Sequence, residues 1–368
     1  MKAKKIFESM SPYKPGKQID DVKEELGLAQ IYKLASNENP FGYSKQVDET
    51  VKAHGNHFEI YPDGYATELR QVLSSDLNID PDQLIFGCGS DEVIDIICRT
   101  YIDEDSETIM ATPTFPQYKH NALIQGAKII EVPLVDGYHD LASMLAAITE
   151  KTKVVWLCTP NNPTGCLIAE QALKDFLTNC PKHVVVVLDE AYYEYIIKDQ
   201  APNSLALVNE HANLIVLRTF SKAYGLAGLR IGYGIAALPI SDTLNIARGP
   251  FNTTQLAQKA AVAAYQDQAF ISYSYEETLK NKNSFKTVLD ELGLSYYDSE
   301  TNFLFVKLPV SGDLLFEYLL TQGFIVRSGE ALGHPNGVRI TIGTKEQMAL
   351  MQEAMKTFIT KHTGTEQS

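Results

Sequence analysis

The stretch HVVVVLDEAYYEY, residues 183–195, decides the fold. Successive side chains on a strand point to opposite faces, so four valines in a row (184–187) cannot belong to a strand with one wet face. Both faces must be covered, the condition of a strand inside a parallel sheet flanked by helices. Similar apolar runs recur at QLIFGCGSDE (83–92), ETIMATPTF (107–115), AKIIEVPL (127–134), KVVWLCTPNNPTG (153–165), NLIVLRTFSK (213–222) and LRIGYGI (229–235). Helix-like text lies between several of them, such as SDEVIDIICRTYI (90–102) and AEQALKDFLTNC (169–180). Strand and helix in alternation predict an α/β domain with a largely parallel sheet covered on both sides.

From about residue 254 the texture changes to long helical text, then TNFLFVKL (301–308), another helix and VRITIG (338–343). The expected organisation is an arm over 1–30, a large domain over 31–253 and a smaller α+β domain over 254–368. A chain of 368 residues exceeds the comfortable size of one core.

The net charge of -14 argues against a nucleic-acid surface, which needs clustered Lys and Arg. It also means that an anionic substrate must be drawn in by a local cationic pocket. No apolar run approaches the roughly 20 residues of a membrane span. The N-terminal text is basic but lacks the apolar core of a secretory signal, so a cytoplasmic protein without a membrane partner is expected. The five cysteines form no C-x-x-C pair and read as reduced thiols. The eight histidines form no H-E-x-x-H, and no metal site is expected.

Polar residues gather where strand text ends: Ser90 and Asp91, Asn162, Asp189 and Tyr192, Ser221 and Lys222. In open α/β sheets that edge is where ligands bind. The glycines of GCGSDE (87–92) permit a tight approach, and the following helix would aim free N–H groups at an anion; Ser90 or Asp91 as a plain N-cap is the alternative. Asp189 ends the valine strand. It is either half of a structural ion pair or an anion held for a protonated ring nitrogen. Lys222 stands in RTFSKAYGLAGLRIGYG (218–234), among small residues, with Arg230 eight positions on. A lysine beside a phosphate site, a buried carboxylate and the amide of Asn162 has the surroundings of a Schiff-base lysine. The cofactor carrying both an aldehyde and a phosphate is pyridoxal 5'-phosphate.

The ordered set SPYKPGK (11–17), KLASNENPFG (33–42), YPDG (61–64), GCGSDE, TPTFPQY (112–118), PNNPTG, DEAYYEY, TFSKAYGLAGLRIGYG, IVRSG (325–329) and VRITIG resembles fold-type I pyridoxal-phosphate-dependent aminotransferases. Within them it resembles the histidinol-phosphate aminotransferases of the Bacillus type. The resemblance implies a mostly parallel seven-stranded sheet and a homodimer. It implies Lys222 as the cofactor-bearing lysine and Asp189 as partner of the pyridinium, with Asn162 and Tyr192 on the ring's phenolic oxygen. Ser90, Asp91, Ser221 and Arg230 would hold the phosphate, Phe115 would stack on the ring, and Tyr61 would reach the neighbouring subunit's cofactor. Tyr13, Asn37, Arg327 and Arg339 would bind substrate. The implied reaction exchanges an amino group between histidinol phosphate and 2-oxoglutarate, giving imidazole-acetol phosphate and glutamate. An aromatic amino-acid aminotransferase and, further off, a threonine-phosphate decarboxylase are the alternatives. A cofactor-binding regulator would need a basic DNA-binding domain, for which the short arm leaves no room.

Overall fold

The structure is a computed structural model that describes residues 3–8, 10–12, 16–56 and 58–363. A short strand β1 (Tyr32–Lys33) precedes the seven strands of the main sheet: β2 (Leu84–Gly87), β3 (Glu107–Thr112), β4 (Lys128–Pro133), β5 (Thr152–Cys158), β6 (Val185–Asp189), β7 (Leu214–Thr219) and β8 (Gly232–Ala236). Their spatial order is β2-β8-β7-β6-β5-β3-β4. All pairings from β7 through β4 are parallel, and β8 alone runs against its two neighbours.

The valine run behaves as its text requires. Val186 and Leu188 of β6 point into one core layer with Val155, Leu157, Leu214 and Val216. Val185 and Val187 point into the other with Val154, Trp156, Ile215 and Leu217. One run differs: in β4 only Val132 is buried, while Lys128, Glu131 and Pro133 are exposed. It is the edge strand, where one side lacks a neighbour and a proline costs no ladder hydrogen bond.

After helices Gln255–Gln266 and Gln268–Glu291 the chain builds β9 (Phe303–Lys307), β10 (Phe324–Ile325), β11 (Arg327–Ser328) and β12 (Gly337–Thr341). The antiparallel sheet β11-β12-β9 packs with helices Gly312–Thr321 and Lys345–Thr363 around Phe285, Leu304, Leu319, Ile340 and Phe358. Two connections cross this division. Tyr32 and Lys33 pair in parallel with Phe324 and Ile325, and Leu34 enters the smaller core. Conversely, Ala257, Ala260 and Ala261 of helix Gln255–Gln266 lie in the core of the larger lobe.

Candidate active site

Where parallel strands end, their last residues and the following loops share one rim. A cavity of about 430 Å³ opens there. Its wall includes Cys158, Asp189 and Thr219, the last residues of β5, β6 and β7. Ser90, Asp91, Phe115, Asn162, Tyr192, Ser221, Lys222, Arg230, Asn37, Arg327 and Arg339 line the same space. One expected residue does not. Tyr61 is 79% exposed and stacks on Phe251, with ring centroids 4.8 Å apart. Tyr13 lies outside the described residues.

One side of the cavity is an anion cradle. Helix Ser90–Tyr101 starts after Gly89 with no side chain capping its first amides, so the plain N-cap role for Ser90 or Asp91 does not hold. Gly89 has φ +78, and a Cβ there would come within 2.5 Å of Arg230 Nη2. The backbone can therefore lie against the guanidinium only as glycine. Arg230 donates to Ser221 Oγ at 3.3 Å, to Ala227 O at 3.2 Å and to Cys88 O at 3.3 Å, which fixes its fork beside the free amides. Amide N–H groups, a helix N-terminus and an arginine together make a phosphate-sized site.

Asp189 lies at the floor, 3% exposed. Its Oδ2 accepts the Tyr118 hydroxyl at 2.6 Å and its Oδ1 the Ala191 amide at 3.1 Å. Among the described residues no cation lies within ion-pair distance of it. Burial pushes the carboxyl up to about 6 against the pull of those two hydrogen bonds, and the charges of Asp91 and Glu190 add to the rise. The ion-pair alternative for Asp189 is not realised by the described side chains.

Lys222 Nζ donates to Ser36 O at 3.0 Å and sits 5.9 Å from the Tyr192 ring centroid. Burial, then the nearby Arg339 charge, lower its ammonium to about 8. An amine so placed is neutral in a far larger fraction at neutral pH than a surface lysine. Burial alone does not make a reactive lysine, however. Lys282 is also buried and lowered to about 8, but it does not line this cavity: it donates to Ser299 O and Thr301 O at 2.7 and 3.0 Å and ties down a loop.

The opposite wall belongs to the smaller lobe. Arg339 of β12 donates to Asn162 Oδ1 and to Ala35 O, both at 2.5 Å, and so joins three segments. Asn162 therefore accepts from Arg339 through its oxygen, and its amide nitrogen remains as the donor toward the cavity. Tyr192 accepts from Asn37 Nδ2 at 2.8 Å and keeps its own hydroxyl proton to donate. Asn37, at φ +56, is pinned by Thr341, whose Oγ1 both accepts from its amide and donates to its Oδ1. Arg327 stands directly across from Arg339 on β11. Like charges opposite one another on neighbouring strands repel, and an anion held between them relieves the repulsion.

Tyr118 is the site residue that sequence reasoning missed. It sits three positions after Phe115, in the first turn of helix Pro116–Gln125, fully buried and stacked on Trp156 at 4.8 Å and 11°. No local feature of TPTFPQY marks it, because its polar partner Asp189 lies 71 positions away.

Known proteins resemble this chain in sequence and fold. The family profile "Aminotransferase class I and II" matches residues 29–355. Histidinol-phosphate aminotransferase 2 of Oceanobacillus iheyensis is 55% identical over 97% of this chain and 99% of its own. The histidinol-phosphate aminotransferase of Bacillus subtilis is 50% identical over 94% and 97%. The crystal structure of histidinol-phosphate aminotransferase from Sinorhizobium meliloti, in complex with pyridoxal-5'-phosphate, superposes with a TM-score of 0.89 at 25% identity, covering 98% of both chains. Half the residues identical across nearly the full length of both partners is a likeness of family and not of fold alone: the chain belongs to the class I and II aminotransferases, and among them to the histidinol-phosphate aminotransferase family.

Proposed function

We propose that this protein transfers an amino group between histidinol phosphate and 2-oxoglutarate, using pyridoxal 5'-phosphate. The observation that carries the proposal is one cavity holding a lysine lowered to about 8 between two separate anion sites. Gly89, Ser90, Ser221 and Arg230 make the first; Arg327 and Arg339 make the second. The residues fit the cofactor: the cradle matches its phosphate, the unpaired buried Asp189 matches a ring N–H, and Lys222 matches its aldehyde. Phe115 lines the cavity, where its ring would lie against the cofactor's planar ring. When bound, the cofactor supplies an electron sink for the carbon that loses its proton. Asp189 holds a proton on the far side of that sink, and Asn162 and Tyr192 offer donors to an oxygen at its edge. Lys222 Nζ, tethered at the centre, carries a proton from one carbon to another. Arg327 and Arg339 hold the anionic end of either substrate, phosphate or carboxylate, with the planar forks that such groups require.

The test is a substrate panel on the purified enzyme, with 2-oxoglutarate as acceptor. Catalytic efficiency should be far higher for histidinol phosphate than for phenylalanine. Arg327→Ala should lower it about tenfold or more for histidinol phosphate, and less for phenylalanine, because a phosphate dianion loses more from a missing guanidinium than a single carboxylate does. A wild type that prefers phenylalanine would make this an aromatic aminotransferase.

We further propose a cytoplasmic homodimer in which Tyr61 completes the partner's cofactor site. The support is an apolar surface, with Phe58 at 77% and Tyr61 at 79% exposed, larger residues than a solvated face ordinarily carries. The division into arm (1–30), large domain (31–253) and small domain (254–368) is also proposed, although helix Gln255–Gln266, just past the boundary, packs in the core of the large lobe.

A further inference from the structure

Asp189 is buried, and nothing among the described charged side chains compensates it, so something must decide whether its carboxyl is ionised and where it points. The groups facing it are Tyr118, Cys158, Asp91, Glu190 and Tyr192, together with the Ala191 amide. Asp91 and Glu190 are carboxyls and push it toward the neutral acid. The Cys158 thiol is itself pushed up to about 12, chiefly by burial, and brings no positive charge. Only two donors favour the carboxylate: the Ala191 amide on Oδ1, and the Tyr118 hydroxyl on Oδ2 at 2.6 Å.

The amide is fixed by the chain, since it belongs to the loop that β6 itself feeds. Tyr118 is different. It comes from the helix after β3, its ring is held by packing, and its hydroxyl also interacts with the Cys158 thiol. Its ring lies flat on Trp156, and Phe115 meets it edge-on at 5.5 Å and 76°. Trp156 is fastened in turn, through Nε1, to Thr108 Oγ1 at 2.8 Å, and Thr108 Oγ1 donates to Val154 O at 2.8 Å. The hydroxyl is thus delivered to Oδ2 by a stack anchored in two central strands. The Phe115 ring that closes the stack also forms part of the cavity wall.

We infer that Tyr118 is a positioning residue for Asp189: its donated hydroxyl keeps the carboxyl ionised and turned toward the cavity. An oxygen that already accepts a strong hydrogen bond is a weaker base. In a pair of buried carboxylate and ring N–H, the weaker base leaves the proton on nitrogen, where the reaction needs it. Without the phenol, burial and two neighbouring carboxyls would move the proton onto Asp189. The inference rests on the proposed cofactor role of Asp189 only for this consequence, not for the contact itself.

Two measurements separate the levels, both on full-length Tyr118→Phe, which keeps the ring stack. In the cofactor-free protein, infrared titration of the Asp189 carboxyl, identified by its loss in Asp189→Asn, should move upward by about one unit relative to wild type. In the protein loaded with ¹⁵N-labelled pyridoxal phosphate, the ring nitrogen signal should shift from the protonated toward the neutral position, while wild type stays protonated. An unchanged carboxyl titration overturns the inference. A shifted titration with an unchanged nitrogen signal keeps the Tyr118 contact but removes Asp189 as the ring's proton partner. Should Tyr118→Phe not fold, wild type grown with 3-fluorotyrosine serves instead. Its more acidic phenol donates more strongly, and Asp189 must then titrate lower; no change there also overturns the inference.

Discussion

Lys222 and Asp189 carry opposite penalties in the cofactor-free chain, and their signs give a testable pH dependence. The Lys222 pKa falls from 10.5 in an unfolded chain to about 8 when folded, so the unfolded state binds more protons between those values. Stability therefore rises with pH through that window, and the whole penalty, roughly 3 kcal/mol, is present below it. Asp189 rises from 3.8 to about 6, so the native state binds more protons there and stability falls as pH rises through that window. Between about 6 and 8 both groups are charged and both penalties apply. Lys222→Met should raise the melting temperature of the cofactor-free protein by a few degrees at pH 7, with the gain disappearing above pH 10, while activity is abolished. Melting curves of the two proteins at pH 7 and pH 10.5 decide it; a variant less stable at pH 7 contradicts the lowered pKa. Borohydride reduction of the loaded wild type should fix the cofactor to the peptide containing Lys222, and label on Lys282 or any other lysine would refute the assignment. At this scale the sequence was informative wherever a residue's chemistry was out of place, as with a lysine among small residues. Tyr118 was illegible because nothing local marks a tyrosine whose partner lies 71 positions away.

Among the elements, helix Ser90–Tyr101 and the turn before it do most to place the chemistry. GCGSDE was readable as an anion loop because glycine and a helix start are local features. The contact that makes the turn specific is not local, since Arg230 arrives from beyond β7. Gly89→Ala should push Arg230 aside and strain a backbone at φ +78. We expect cofactor affinity to fall at least tenfold with a loss of only a few degrees in melting temperature, measured by equilibrium titration and thermal unfolding. Affinity within a factor of two of wild type would show that the amides, and not Arg230, hold the phosphate. The valine run of β6 was legible as doubly buried because its composition leaves no alternative. β4 was not, since an apolar run does not say that its strand lies at the edge. The pairing of Tyr32 with Phe324 was likewise hidden: two-residue strands carry no periodicity, and their partners are nearly 300 positions apart.

For the whole molecule, the proposed dimer is the claim with the largest consequence. Light scattering should give twice the chain mass, and Tyr61→Ala should weaken cofactor binding in a dimer that still forms. A fully active monomer would remove both the assembly and the role of Tyr61. With -14 overall, the long-range field of the chain does not favour an anion, so under the proposed capture by Arg327 and Arg339 raising the salt concentration should change the association rate little. The chain contains one tryptophan, and that residue is Trp156, fully buried and lying flat on the tyrosine that touches Asp189. All indole emission of the protein therefore arises one ring away from Asp189. A bound chromophore absorbing in the near ultraviolet will quench it by energy transfer, and a dry, rigid indole emits at short wavelength. The molecule carries its own optical gauge of occupancy, readable in a cuvette without label or coupling enzyme.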